Sequence, residues 1–295
     1  MKRNFLQFLE LFYYLLNLGE SDDSDVEEQV ESDNERISDS NARAVYVGIN
    51  YLDKSYLKLS GCIRDAEELQ KYFKTTFNVT DYKMLVDDNR PKSIMPTRKN
   101  ILESLTSMLK KSKKGDVCIF TYSGHGSQVR DDNSDEKDGK DEIIIPSDVK
   151  NIRDDELHEI CAKYLKEGVK LFCLMDCCNS ASNFDISNQY VYDKNGRQIY
   201  YKENDENDIK GTVVSIAGSS DDKYSYETMY EGQIRGALTV SFIECMKKTS
   251  IKKWKDLMVC IDSMLLNVLE SIQQPHLNST KPIEKVPFLK KWFVS

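Results

Sequence analysis

The sequence predicts an α/β domain with a six-stranded, mostly parallel β-sheet that is covered by helices on both faces. Two observations support this prediction. Short apolar runs alternate with amphipathic helical segments over most of the chain, which is typical of parallel sheets packed between helices. Two of the apolar runs are followed directly by motifs of small, polar and reactive residues, at the edge where open α/β sheets bind ligands.

The elements of the first half of this domain follow in order from the same patterns. Short apolar runs predict strands at 44–49, 82–86, 117–122 and 170–175. A helix is predicted at 63–77, because its apolar residues fall on one face. Thr97 can cap a second helix, and Asp154 or Asp155 can begin a third that ends near Lys166.

The second half begins with a polar stretch, 183–211, which is rich in Asn, Asp, Lys and Tyr and predicts a loop. The segments predicted after this loop are a strand at 213–217, helices near 236–249 and 252–272, and a terminal strand at 287–294. No internal repeat is visible, so we expect one folded domain at 43–295.

Composition limits the classes of function. The 295-residue chain is long enough for one large or two small domains. Its formal net charge of −8 argues against nucleic-acid binding, which needs basic surfaces. The eight cysteines include no Cys-x-x-Cys pair, and only three histidines are present, so no zinc spacing appears. Such cysteines are typical of buried residues in a reducing compartment, which favours a cytoplasmic protein.

Residues 1–42 predict a separate N-terminal segment. An apolar run at 5–18 follows basic residues, which leaves two interpretations open: targeting or membrane contact, and a local helix or pro-segment that docks elsewhere. The second is favoured, because Gln7 and Glu10 interrupt a run that is too short to span a bilayer, and no small-residue cleavage site follows. Residues 20–41 are acidic and predict a disordered linker.

Two motifs at strand ends indicate the chemistry. Thr121-Tyr122-Ser123-Gly124-His125-Gly126 ends one strand, and Asp176-Cys177-Cys178-Asn179-Ser180 ends another. A cysteine attacks as the thiolate, and a nearby histidine can take up its proton or protonate a leaving group. The amides of Gly126 and Cys178 are candidates for binding an oxyanion. A core histidine and a buried cysteine are the alternative, which is favoured for either residue alone but not for both motifs together.

These two motifs resemble those of the metacaspases, the caspase-like cysteine peptidases of protists, fungi, plants and bacteria. The resemblance runs from about Arg43 to the C-terminus. Further matches include Val47-Gly48-Ile49-Asn50-Tyr51, Gly61-Cys62-Ile63-Arg64-Asp65-Ala66, Gly236-Ala237-Leu238-Thr239 and Gln274-Pro275-His276-Leu277. The short stretch after the cysteine motif is similar to the type I arrangement. The resemblance implies a caspase-like fold, with a large-subunit-like part at about 43–190 and a small-subunit-like part at about 211–295.

The resemblance also implies an activity. By position, His125 is the catalytic base and Cys178 the nucleophile of an endopeptidase that cleaves proteins or peptides after Arg or Lys. The implied specificity pocket is formed by Cys62, Asp65, Ser123 and Asp176. Its two carboxylates suit a guanidinium or ammonium group. The alternatives are an exposed helix residue for Asp65 and a turn-forming residue for Asp176. The resemblance further implies a monomer.

Calcium is a further implication of the resemblance. The ligand positions of the family fall on Asp141, Asp154, Asp155 and Asp185, and several carboxylates suit Ca²⁺ as an activator. The alternative is an acidic surface with a helix cap at Asp154. An EF-hand-like spacing that starts at Asp131 is rejected, because Glu136 stands where that loop needs glycine.

One departure from the family pattern leaves a second interpretation open. Asn179-Ser180-Ala181 replaces the usual His-Ser-Gly after the nucleophile. If the backbone at Ala181 needs a positive φ, its Cβ costs on the order of 1 kcal/mol. A weak or inactive scaffold that binds basic peptides is therefore the alternative to an active enzyme. Self-cleavage at Arg36, Arg43 or basic residues of 183–211 is a further hypothesis.

Overall fold

The computed structural model describes most of the chain beyond the predicted N-terminal segment. Its described residues are 41–91, 93–130, 140–177, 184, 186–193, 195–203, 208–219, 227–271 and 273–294. The predictions for residues 1–40, Cys178, Ala181 and Asp185 fall outside these residues, as does the rejected EF-hand-like segment that begins at Asp131.

The described residues contain five α-helices. In chain order they are α1 (Cys62–Phe77), α2 (Arg98–Lys111), α3 (Asp154–Tyr164), α4 (Ala237–Lys247) and α5 (Trp254–Asn267). Each lies within a few residues of a predicted helix. Thr97 caps α2 as expected, because its side chain accepts a hydrogen bond from the amide of Asn100 at 3.3 Å. None of the described helices has the length and apolar character that a bilayer crossing needs.

The described residues also contain thirteen β-strands. They are β1 (Ala42–Gly48), β2 (Asp81–Val86), β3 (Val117–Ser123), β4 (Gly126–Arg130), β5 (Lys140–Ile144), β6 (Ile152–Arg153), β7 (Lys170–Asp176), β8 (Asn188–Tyr192), β9 (Gln198–Glu203), β10 (Thr212–Ser219), β11 (Glu227–Tyr230), β12 (Gln233–Gly236) and β13 (Gln274–Ser279). Strands β4, β5 and β6 form a small sheet, and β11 and β12 form a hairpin.

The main sheet confirms the predicted mixed, mostly parallel architecture. Its strand order is β2-β1-β3-β7-β10-β13-β8-β9. The first five strands are parallel, and the last three are antiparallel to their neighbours. The described part of the sheet therefore has eight strands, two more than the sequence predicted.

Two sequence predictions are wrong at this antiparallel side of the sheet. The polar stretch 183–211 contains β8 and β9, and Tyr190 pairs with Tyr201 across these strands, with their rings 5.1 Å apart. The terminal segment 287–294 is not a strand. Residues Leu289–Trp292 form a 3₁₀ turn, and its bulky side chains pack on the core. The last strand of the chain in the sheet is β13 instead, between β10 and β8.

Each face of the sheet packs against its own set of helices. Alternate residues of a strand point to opposite faces. In β7, Phe172 packs with α1, α4 and α5, and its ring lies 5.3 Å from that of Phe242. Its neighbours Leu171 and Cys173 pack with α2 and α3. This confirms the prediction of helices on both faces and explains the apolar character of the central strands.

The cysteines among the described residues fall into two groups. Five are buried and outside any disulfide, namely Cys62, Cys118, Cys161, Cys173 and Cys177, in agreement with their interpretation as small hydrophobes. Cys245 and Cys260 instead form a disulfide between α4 and α5, with Cα atoms 5.9 Å apart. The sequence did not indicate this pair, because only the packing of α4 against α5 brings the two positions together.

Candidate active site

The ends of β3 and β7 bring the two motifs side by side. The strands are parallel neighbours, and Ser123 pairs in register with Asp176. Just beyond the pair, the amide of Gly124 donates to the carbonyl of Asp176 at 3.3 Å. The histidine motif and the start of the cysteine motif therefore share one sheet edge, as the sequence predicted. Cys178 lies outside the described residues.

His125 is half-buried, and its ring is oriented by two contacts. Its Nε2 lies 2.7 Å from the carbonyl oxygen of Leu57, and its ring centroid lies 4.8 Å from that of Tyr51. A carbonyl only accepts hydrogen bonds, so Nε2 must hold the proton in this contact. In the neutral ring, Nδ1 then has the free lone pair that a base needs.

The charge state of His125 follows from its surroundings. Burial lowers the pKa of the imidazole, while the carbonyl of Leu57 and the charge of Glu227 oppose this effect. The ring is therefore neutral over a wider pH range than a free histidine. Neutral imidazole is the form that can accept a proton from a thiol.

Two buried tyrosines hold the backbone of the histidine motif. The hydroxyl of Tyr51 accepts from the amide of His125 at 2.9 Å, and the hydroxyl of Tyr122 donates to the carbonyl of His125 at 2.8 Å. Tyr51 itself has a left-handed backbone with a φ of 52°, a conformation that persists only where surrounding contacts fix it. Sequence reasoning missed this role, although Tyr51 ends one of the motifs that match the family.

Gly124 does not have a positive φ, so no left-handed turn requires a glycine at this position. Instead, a Cβ at this position would lie 2.8 Å from the hydroxyl oxygen of Tyr122 and 3.1 Å from that of Tyr51. The glycine therefore allows the two hydroxyl groups to approach the backbone. Gly126 opens β4 and pairs with Ile144.

The four predicted pocket residues come together, and we call them the acidic pocket: Cys62, Asp65, Ser123 and Asp176. Cys62 and Asp65 are in the first turn of α1, and the other two end β3 and β7. Ser123 donates from Oγ to Asp65 Oδ2 at 2.9 Å. All four residues are buried, and Asp65 is 0% exposed, so the interpretation of Asp65 as an exposed helix residue is wrong.

Asp176 is held by the beginning of α4. Its Oδ2 accepts from the amide of Thr239 at 2.8 Å, in the first turn of that helix. Helix N-termini attract negative charge, so α4 stabilises the ionised carboxylate. This contact lies outside the turn that follows β7, which argues against the interpretation of Asp176 as only a turn-forming residue.

The acidic pocket also contains a cation that sequence reasoning missed. Arg235 donates from Nε to Asp65 Oδ1 at 3.2 Å, and the amide of Gly236 donates to the same carboxylate. Burial and the nearby charge of Asp176 raise the pKa of Asp65, and Arg235 partly offsets the rise. Arg235 directly precedes the Gly236-Ala237-Leu238-Thr239 match, which is the signal that could have indicated it.

The comparisons with known proteins agree with this geometry. Residues 42–187 match the family model of the metacaspase, peptidase C14 domain. The chain is 30% identical to Metacaspase-1 of Sclerotinia sclerotiorum over 83% of its own length and 67% of that protein. The chain belongs to the metacaspase family. It is also 35% identical to Metacaspase-1 of Plasmodium falciparum, but it spans only 34% of the length of that relative.

The fold is also similar to that of a solved structure. A crystal structure of a protein from Geobacter sulfurreducens superposes with a TM-score of 0.58 over 86% of this chain and 97% of the other, at 20% identity. At that identity the similarity concerns the fold alone. Membership of the metacaspases, a family of cysteine peptidases, supports a cysteine peptidase and protein substrates for this chain.

The acidic residues that the metacaspase resemblance implies for calcium are only partly brought together. We call Asp141, Glu142 and Asp154 the α3 acidic cluster. Asp141 pairs with Arg153, whose Nη1 lies 2.8 Å from its Oδ2. Asp154 accepts from the amide of Glu142 at 3.2 Å, and burial together with the charge of Glu142 raises its pKa to about 8.

This cluster fits a cation at Asp154 better than at Asp141, where Arg153 already supplies a positive charge. Asp155 is partly exposed beside Asp154, and Asp185 lies outside the described residues. Within the described part of the chain, no three metal-ligating side chains converge. Calcium binding is therefore an expectation from the resemblance.

Proposed function

We propose that this protein is a cysteine endopeptidase that cleaves after Arg or Lys, with Cys178 as nucleophile and His125 as base. The supporting observation is the pairing of Ser123 with Asp176, because it places His125, the residues before Cys178 and two buried carboxylates at one sheet edge. The burial of Cys177 favours its neighbour as the reactive cysteine, since a nucleophile must reach solvent and substrate.

In the proposed reaction, Cys178 gives its proton to Nδ1 of His125, and the thiolate attacks the peptide carbonyl carbon. The amides of Gly126 and Cys178 bind the negative oxygen of the tetrahedral intermediate. His125 then protonates the amine, the C–N bond breaks, and a thioester remains. Water attacks the thioester as His125 takes its proton, and the acid product leaves the regenerated thiol.

Specificity for a basic side chain is proposed from the acidic pocket. Asp65 and Asp176 are buried carboxylates, and a guanidinium can pair with them through several directed hydrogen bonds. The pKa of both groups is raised by burial, so an additional cation would stabilise their ionised forms. A neutral or acidic side chain would gain no such interaction.

A scaffold that binds basic peptides without cleaving them is the second candidate. One observation favours it: in the structure, Asp65 already interacts with Arg235 and Gly236. A protein whose own arginine occupies the pocket could have lost catalytic turnover while it keeps affinity for basic peptide segments.

The test is a set of fluorogenic peptides that differ only in Arg, Lys or Asp before the scissile bond. We expect cleavage of the Arg and Lys peptides, and a loss of about 10³-fold or more in Cys178→Ala and His125→Ala. Cys177→Ala and His158→Ala are matched controls that should keep most of the activity. Binding of the Arg peptide without turnover would favour the scaffold, and cleavage of only the Asp peptide would refute the proposed specificity.

Calcium activation is part of this proposal. Asp154 with Asp141, Asp155 and Asp185 would hold Ca²⁺ through carboxylate oxygens, and the ion would act as an activator outside the chemical steps. Calcium should raise the melting temperature of the wild type but not that of Asp154→Asn, a readout that does not need activity. We further propose a monomeric, cytoplasmic enzyme, in which the Cys245–Cys260 disulfide would be exposed to reduction. Sedimentation and cell fractionation test these two points.

A further inference from the structure

The β11–β12 hairpin, Glu227–Gly236, contacts both the residues just before α1 and the first turn of that helix. At its beginning, the carboxylate of Glu227 accepts from the amides of Ser60 and Gly61, at 2.6 Å for Ser60. At its end, Arg235 and the amide of Gly236 both contact Asp65. The hairpin therefore contacts the acidic pocket at its end and the residues just before α1 at its beginning.

The end of the hairpin fits closely against both pocket carboxylates. A Cβ at Gly236 would lie 2.2 Å from Asp176 Oδ2 and 2.7 Å from Asp65 Oδ2, distances that no side chain tolerates. Only glycine lets the backbone pass so close to these oxygens. The position next to it, Arg235, is thereby held with its side chain beside Asp65.

The guanidinium of Arg235 has the chemistry that the pocket would recognise in a substrate. It is always charged, and it is only 11% exposed. Its Nε lies 3.2 Å from Asp65 Oδ1, and its charge also acts on Asp176. The side chain thus supplies from within the protein the group that an arginine substrate would bring from outside.

We propose that Arg235 is an internal occupant of the acidic pocket, and that the basic side chain of a substrate must displace it from Asp65 in order to bind. This inference rests on the proposed specificity for Arg and Lys. A ligand that binds only when the pocket is free has its apparent affinity reduced by the fraction of time that the pocket is free. Arg235 would therefore lower the apparent affinity of the pocket for basic side chains and affect its selectivity among them.

The test uses butylguanidine, which has an arginine-like head group and no bond to cleave, with neutral butylurea as the matched ligand. Binding is measured by calorimetry at pH 8.5, where the pocket carboxylates are largely ionised. If the pocket is filled about 90% of the time, Arg235→Gln should bind butylguanidine about tenfold more tightly than wild type. Arg235→Lys, which keeps the charge, should stay close to wild type.

Arg197→Gln is the matched control, because Arg197 is exposed near the turn of another hairpin and the same substitution there should change nothing. Equal or weaker binding by a folded Arg235→Gln variant would overturn the inference, and would show that Arg235 builds the pocket. If neither wild type nor variant prefers butylguanidine to butylurea, the proposed basic specificity itself fails, and the inference fails with it.

A second measurement needs no variant and so does not depend on its folding. Hydrogen exchange of the wild type is followed with and without saturating butylguanidine. Displacement of Arg235 should release the amide of Gly236 from Asp65 and increase exchange in the hairpin. Binding that leaves this exchange unchanged would overturn the inference, even if the variant could not be purified.

Discussion

The acidic pocket and the α3 acidic cluster are both built from buried carboxylates, but their charge is balanced in different ways. In the pocket, Asp65 has a cation, Arg235, and a backbone amide as direct partners. In the cluster, the cation Arg153 pairs with Asp141. Burial and the charges of Glu142 and Asp155 raise the pKa of Asp154 to about 8, and hydrogen bonds from backbone amides oppose this rise.

This difference shows that a group of acidic residues does not define a function by its composition. A buried carboxylate must be compensated by a fixed cation, by hydrogen bonds, by a proton or by a bound ion. The pocket contains its cation in its own sequence, so a basic ligand has to compete with it. The raised pKa of Asp154 instead favours its protonated form, and the proposed Ca²⁺ would take the place of that proton.

The largest expected effect concerns the pocket. Asp65→Asn should reduce kcat/KM for arginine peptides by about a hundredfold to a thousandfold, because the substrate loses one partner of a buried charge pair. Asp53→Asn, at an exposed aspartate, should leave kcat/KM unchanged. Steady-state kinetics on folded protein test this point, and an Asp65→Asn enzyme with normal arginine kinetics would show that the specificity lies elsewhere.

The disulfide gives the next largest expected effect, and it lies on the pocket side of this comparison. Cys245 and Cys260 join α4 to α5, and α4 holds Asp176 through the amide of Thr239. A 15-residue separation predicts a loss of about 3 kcal/mol in the free energy of unfolding for the double Ala variant. Urea unfolding of wild type under oxidising and reducing conditions is the control measurement, and equal stability in both would contradict a formed disulfide.

Most of this site could be predicted from the sequence, because it depends on residues at the ends of parallel strands that are neighbours in the sheet. Ser123, His125 and Asp176 follow apolar runs, and the topology of a parallel sheet brings such positions to one edge. Asp65 was also correctly placed, although only the resemblance to metacaspases indicated it.

The parts that could not be predicted depend on contacts between distant segments. Arg235 reaches Asp65 across 170 positions of sequence, and no periodicity links the two. The β8–β9 hairpin was missed because local polarity suggested a loop, whereas the Tyr190–Tyr201 pair across the strands stabilises it. The prediction of a strand at 287–294 failed for the opposite reason. Trp292 is apolar, which suggested a strand, but it packs on the core without joining the sheet.

The expected effect at the α3 acidic cluster is smaller for each pH unit than the effect of the disulfide. With a folded-state pKa of about 8, Asp154 keeps its proton over a pH range in which the unfolded chain releases it. Stability from this group is complete below pH 4 and is lost as pH rises toward 8, by at most about 1.4 kcal/mol per pH unit. Calcium-free unfolding from pH 5 to 9 should show this slope in wild type and a flatter profile in Asp154→Asn. If stability depended on pH in the same way in both proteins, Asp154 would not titrate in this pH range.

The smallest expected effect returns to the pocket and concerns the pH dependence of substrate binding. Burial raises the pKa values of Asp65 and Asp176 above those of ordinary carboxyl groups, so they take up protons at a higher pH and lose their attraction for a cation. KM for an arginine peptide, relative to KM for a norleucine peptide of the same sequence, should therefore rise a few-fold, on the order of 1 kcal/mol or less, between pH 8 and pH 6. The ratio matters because protonation of His125 affects both peptides alike. A ratio that stays constant down to pH 5 would mean that Arg235 and the surrounding amides keep both carboxylates ionised, and that the pocket is compensated more completely than the α3 acidic cluster.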